Sequence, residues 1–223
     1  MQVVIAIDGP AGAGKSTLAR RISKRLGYTY IDTGAMYRAV ALAALRSGVD
    51  LESAERLEQI AVEAELGLDT DGRIFLNGAD ISGEIRTPEV SAGASKVAAL
   101  AGVRAALVLK QRTMAQSMNV VMEGRDIGTV VFPDAPVKIF LDADPHARVE
   151  RRAAEQPEVD REQLAQQIAE RDARDRGRTE SPLLQAPDAV PVDTTGLSLD
   201  EVEEWILAIV REKVPSVQKR EGA

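Results

Sequence analysis

The sequence predicts an α/β protein with a mainly parallel sheet and helices on both faces. Three observations predict it. Short apolar runs alternate with segments whose apolar residues recur at helical spacing, as in a parallel sheet joined by crossover helices. A glycine-rich stretch, GPAGAGKST (9–17), follows the first apolar run and opens the first helix. One region, GLDTDGRIFLNGADISGEI (67–85), breaks the rhythm with the hairpin signals Asp71-Gly72 and Asn77-Gly78, so it reads as a small antiparallel insertion.

VVIAID (3–8) is apolar and bounded by turn residues, the mark of a buried strand. The loop after it fits G-x-x-x-x-G-K-[ST] in full, with Gly9, Gly14, Lys15 and Ser16 at the fixed positions. The glycines of the loop Gly9, Pro10, Ala11, Gly12, Ala13 and Gly14 let its backbone N–H groups, proline's excepted, turn around an anion without Cβ clashes. The helix starting at Lys15, Ser16 and Thr17 points its positive end at the same place. Lys15 supplies a mobile cation for phosphates, and the Ser16 hydroxyl is placed for Mg²⁺, a hard cation that keeps most of its waters. In that helix, 15–26, Leu18, Ile22 and Leu26 fall four apart and Gly27 stops it.

Further strands are expected at 28–32, 119–123, 137–142 and 189–193. Helices are expected at 35–47, 52–65, 88–100, 102–117, 145–155, 160–176 and 199–213. Ligands of such sheets bind beyond the carboxyl ends of the strands, which singles out the residues just after each strand. In DTGAMYR (32–38), Thr33 and Gly34 stand where a helix starts, either binding an anion or with Thr33 as a plain N-cap. MEGRDIG (122–128) puts Arg125 at the ligand edge, and Glu123, ending its strand, can orient a metal-bound water; Asp142 at the end of VKIFLD competes for that role. RDARDRGR (171–178) places Arg171, Arg174, Asp175 and Arg178 at i, i+3, i+4 and i+7, one helical face, serving either as a solvated ion-pair stripe or as a grip on phosphate and sugar. RRAAEQPEVDREQ (151–163) is a plain helix connection or a mobile lid, and 67–85 a surface decoration or a substrate-side flap.

Composition narrows the classes. The formal net charge of −7 speaks against bulk attraction to nucleic acid or acidic membranes. With no cysteine there are no disulfides, no thiol catalysis and no Cys-based zinc site, which suits a reducing cytoplasmic setting. The single histidine, His146, leaves no cluster for a transition metal. No apolar run approaches the ~18 residues of a membrane span. The polar tail VQKREGA (217–223) reads as frayed. Of 28 basic residues 21 are arginine, which grips phosphate with paired bonds where lysine acts as a point charge. A guanine-specific switch is disfavoured, because the chain has no Asn-Lys pair and its D-x-x-G match, DTDG (69–72), lies in a turn rather than after a buried strand.

GPAGAGKST, IDTGAMYRAVALAAL, SGEIRTPEVS, VVMEGRDIGTVVFPDAPVKIFLDA and ERDARDRGR, in this order, resemble the bacterial cytidylate kinases from about residue 2 to residue 212. The resemblance implies the fold of the P-loop nucleoside monophosphate kinases: a five-stranded parallel sheet, a lid near 151–163 and a monophosphate-binding insert near 63–96, all in one domain over 1–223. It implies transfer of the ATP γ-phosphate to CMP or dCMP by a cytoplasmic monomer with Mg²⁺. By motif match Thr33, Arg38, Arg125 and Arg178 hold the acceptor phosphate, Arg171 and Asp175 the ribose, and Ser95, Arg104 and Asp126 the cytosine. Lys15, Arg125 and Arg178 are the catalytic cations, and Ser16 with Glu123 serves the metal. Ser95 and Arg104 rest on the resemblance alone, since SKVAALAGVR (95–104) by itself reads as plain helix.

Overall fold

The structure, a computed structural model, describes residues 2–69 and 72–217. Asp71 of the first hairpin signal and residues 218–223 of the tail lie outside the described residues. In chain order the elements are β1 (Val4–Asp8), α1 (Lys15–Leu26), β2 (Thr29–Asp32), α2 (Thr33–Arg46), α3 (Ala54–Glu63), β3 (Leu66–Leu68), β4 (Ile74–Leu76), β5 (Ala79–Asp80), α4 (Pro88–Val97), α5 (Ala101–Met114), β6 (Val120–Gly124), β7 (Val137–Asp142), α6 (Pro145–Glu155), α7 (Arg161–Gly177), β8 (Val190–Asp193) and α8 (Leu199–Lys213). A 3₁₀ turn spans Glu84–Arg86 and a single π-helical turn spans Ile127–Val131. Among the described residues, no single helix is long and apolar enough to cross a membrane.

The expected sheet is present: five parallel strands in the order β2-β6-β1-β7-β8. The chain divides into two compact units, the boundary falling after Thr29 within β2. The first unit runs up to Thr29 and resumes at Met118. Its central strand β1 is buried along its whole length between β6 and β7, which is why VIAID carries no alternation. Leu18 and Ile22 of α1 and Ile206 and Leu207 of α8 are fully enclosed with the sheet. α8 opens with a capping box, in which the Ser198 side chain accepts from Glu201 N–H and the Glu201 carboxylate accepts from Ser198 N–H.

The second unit covers Tyr30–Ser117. Met36, Val40, Leu57, Ile74, Ile81, Val97 and Leu107 form its core. The alanine-rich α2 lets α4 approach closely: a Cβ added at Gly93 would come within 3.3 Å of the Ala41 Cβ. The antiparallel insertion is a three-stranded sheet in the order β3-β4-β5. Asn77 (φ 50°) and Gly78 (φ 81°) make the two-residue turn between β4 and β5, both with the positive φ that a type I′ hairpin requires. The expected helices 88–100 and 102–117 are shorter, and α4 and α5 meet at a 100° bend. At the break the Ala98 carbonyl is taken by Arg104 Nη1 (3.1 Å).

Candidate active site

In the first unit the glycine-rich loop joins β1 to α1. Gly9 has φ 149°, and a Cβ there would lie 2.0 Å from the Leu141 carbonyl oxygen, so only glycine lets the loop pass beside β7. Lys15 is buried and its Nζ donates to the Pro10 carbonyl at 2.6 Å. Burial pushes its pKa down to about 7; Arg125 and Arg171 push the same way, and Glu123 and Asp8 oppose them. A desolvated ammonium facing two guanidiniums is a site short of negative charge, the electrostatic condition for binding a polyphosphate.

Ser16 Oγ donates to Glu123 Oε2 at 3.0 Å, although the two lie 107 residues apart. Asp142, the competing carboxylate, is occupied otherwise: its Oδ1 accepts from Ala143 N–H at 2.8 Å. Among the described residues no group of three or more His, Asp or Glu side chains could hold a metal by itself. A hydroxyl beside one carboxylate is nevertheless the hard-oxygen donor pair that Mg²⁺ accepts when phosphate and water complete its octahedron, so the residues fit that ion.

The arginines of the same unit converge on one carboxylate. Asp175, enclosed on α7, accepts from Arg125 Nε at 2.7 Å and from Arg178 Nη2. Burial pushes the Asp175 pKa up, but Arg125 and Arg178 outweigh it and hold the group below its ordinary value. The single helical face expected for 171–178 is corrected here. α7 ends at Gly177, and Arg178 follows in extended conformation (φ −63°, ψ 136°), turning back to Asp175. Arg174 is exposed and donates to its own helix at Glu170 O (3.4 Å), apart from the cluster. Asp126 is buried at the start of the π-turn.

Among the buried charged groups of this unit that sequence reasoning missed, three bear on the loop and its surroundings: Arg148, Asp172 and Asp8. Arg148 of α6 donates to Asp172 (2.5 Å), to Ala143 O (3.2 Å) and to Ala11 O of the loop (3.1 Å). Asp172 neighbours Arg171 in the motif, but its helical position alone does not show that it is enclosed. Asp8, the third, closes β1 and reads locally as a strand end.

In the second unit Asp32, not Thr33, caps α2: its Oδ1 accepts from Ala35 N–H and its Oδ2 from Arg38 Nη2, both at 2.9 Å. Thr33 is buried as the first helical residue. Arg38 Nε and Ser95 Oγ are enclosed atoms without a hydrogen-bond partner, which is unusual for buried polar groups. Arg104 is buried with its guanidinium 5.4 Å from the Tyr37 ring centroid, a cation–π contact that holds it in place. Tyr37 was not singled out from sequence.

Comparison with known proteins agrees with this geometry. The family model described as cytidylate kinase matches residues 5–212. A cytidylate kinase of Solibacter usitatus (strain Ellin6076) is 58% identical over 219 residues, covering 96% of this chain and 94% of its own. One of Klebsiella pneumoniae (strain 342) is 48% identical, with 95% and 96% covered. A gluconokinase from Sinorhizobium meliloti 1021 shares the fold at a TM-score of 0.51 and 16% identity, over 98% of this chain and 97% of that one. With a family model spanning nearly the whole chain and relatives this similar along their full length, the chain belongs to the cytidylate kinase family.

Proposed function

We propose that this protein transfers the γ-phosphate of ATP to CMP and dCMP, giving ADP and the nucleoside diphosphate. The observation that carries the reading is the convergence of Lys15, Arg125, Arg171 and Arg178 in one unit, a cation set matched to two phosphate-bearing substrates and supported by membership of the family. The loop 9–17 cradles the ATP phosphates with its backbone N–H groups, and Lys15 follows the outer ones. Ser16 and Glu123 hold Mg²⁺, which supplies neutralisation of phosphate charge when bound. Arg125 and Arg178 orient the CMP phosphate, with Asp175 holding both guanidiniums in place and, with Arg171, reaching the ribose. Thr33 and Arg38 are assigned to the same phosphate, and Ser95, Arg104 and Asp126 to the cytosine, by the family resemblance.

A CMP phosphate oxygen attacks the γ-phosphorus in line while the bond to the ADP oxygen breaks. The attacking group is already an anion, so no general base is required. The protein contributes alignment and compensation of charge on the equatorial oxygens. The insert at 63–96 and the segment 151–163, which links α6 to α7, act as acceptor-side insert and lid. The protein works as a cytoplasmic monomer, with neither nucleic acid nor membrane as partner. The kinase for another acceptor and the guanine-nucleotide switch are not favoured.

Coupled ADP release with Mg²⁺-ATP and each of CMP, dCMP, UMP, AMP and GMP tests the reading. Rapid turnover is expected with CMP and dCMP. Equal or faster turnover with a purine monophosphate overturns the assigned acceptor.

A further inference from the structure

Asp8 is the last residue of β1 and immediately precedes the phosphate loop. It is enclosed, and its two carboxylate oxygens accept separately from the main-chain N–H groups of Ile127 (2.8 Å) and Gly128 (2.7 Å). Those groups open the π-turn 127–131, where a helical turn leaves its first N–H groups without internal partners. Asp8 thus caps, across the sheet, a turn whose preceding residues are Arg125 and Asp126. The turn is closed in on its other side as well. A Cβ added at Gly128 would lie 3.1 Å from Lys138 Cδ and 3.4 Å from Asp8 Oδ2. The Lys138 ammonium is anchored on Asp188 (2.8 Å) and on the Pro133 carbonyl.

We infer that Asp8 is a positioning residue for the acceptor: by gripping the turn at Ile127 and Gly128, it fixes where Arg125 and Asp126 stand relative to the phosphate loop. CMP affinity therefore depends on a carboxylate that belongs to the donor-side strand. An apolar residue would complete a buried strand at lower cost. Burial pushes the Asp8 carboxyl up to about 6; Asp126 adds to the rise, and the two N–H bonds and Lys15 oppose it. A carboxylate raised in the fold holds its proton longer than in the unfolded chain, so stability is lost as pH rises from about 4 to 6. At neutral pH the fold keeps a charge that weakens it, as functional sites do.

The inference rests on the reading that Arg125 and Asp126 bind CMP, and the test separates the two. Asp8→Asn keeps the shape but offers one acceptor and turns an amide NH₂ toward the second N–H. CMP and ATP affinities are measured separately by calorimetry, with kcat and Tm alongside. Asp8→Asn is expected to weaken CMP about tenfold and lower kcat, with ATP affinity held within about twofold. Unchanged CMP affinity, or equal weakening of both nucleotides, overturns the inference. Arg125→Ala runs in parallel. Loss of CMP there with none in Asp8→Asn overturns the Asp8 inference alone, whereas no loss in Arg125→Ala overturns the acceptor assignment and the inference with it. Should Asp8→Asn not fold, Gly128→Ala decides, since its Cβ presses on the Lys138 stem at 3.1 Å while lying against Asp8 Oδ2 at 3.4 Å, and so disturbs the turn that Asp8 grips. Selective loss of CMP affinity supports the inference, and unchanged or uniformly weakened binding overturns it.

Discussion

Glu123 and Asp142 each close an apolar strand, and their local sequences do not separate them. In the structure Glu123 accepts from the Ser16 hydroxyl, while Asp142 Oδ1 accepts from the neighbouring Ala143 N–H, which favours Glu123 for the proposed metal role. Glu123→Gln keeps an oxygen for Ser16 but removes the charge that favours a divalent cation. It is expected to raise the Mg²⁺ concentration for half-maximal activity roughly 10–100-fold, with Asp142→Asn shifting it far less. A Mg²⁺ titration of ADP release checks this, and equal shifts in the two variants would return the choice to open. The same scale shows the limit of motif reading. Arg125, Asp175 and Arg178, which the structure brings together, were singled out because arginines crowd two short motifs. Arg148 was not, because one arginine on a charged helix looks like any solvated residue until its partners Asp172 and Ala11 are known.

Most elements were legible because backbone hydrogen bonding and one-sided burial impose their periods on the sequence directly. α1, β7, α6 and α8 have the expected bounds. A break between α4 and α5 near residue 101 was expected, but not its angle. SKVAALAGVR has no proline, and its one glycine does not announce a 100° bend. The bend belongs to tertiary contacts, in which the Arg104 side chain takes a carbonyl that a continuous helix would use itself. The second hairpin, by contrast, is written in Asn77-Gly78. Gly78→Val puts a β-branched residue at φ 81° and is expected to cost about 1–2 kcal/mol, read from urea unfolding. A loss within experimental scatter would mean that the turn relaxes to another type.

At the scale of the whole molecule the function is a problem of charge. Two phosphate-bearing anions must meet, and the cations that receive them lose solvation and repel one another when alone, as the depressed Lys15 shows. On the proposed assignment Arg125 and Arg178 serve the acceptor, so ATP alone leaves that half of the charge uncompensated. Hydrolysis of ATP without CMP is expected to be at least about 100-fold slower than transfer to CMP, measured by ADP release with and without acceptor. Comparable rates would show that water reaches the γ-phosphate freely.

The sequence by itself determined the element order, the parallel sheet, the phosphate loop and the arginine-rich motifs. Each of these follows from residues close together along the chain, through backbone periodicity, glycine's conformational freedom and local charge. Tertiary structure alone decided which carboxylate faces Ser16, that Arg178 leaves its helix to join Arg125 on Asp175, and that Asp8 holds a turn 119 residues away. Those are pairings of buried charges with distant partners. A buried charge is tolerable only where the fold brings it a partner, and a local stretch of sequence carries no record of which distant group that is.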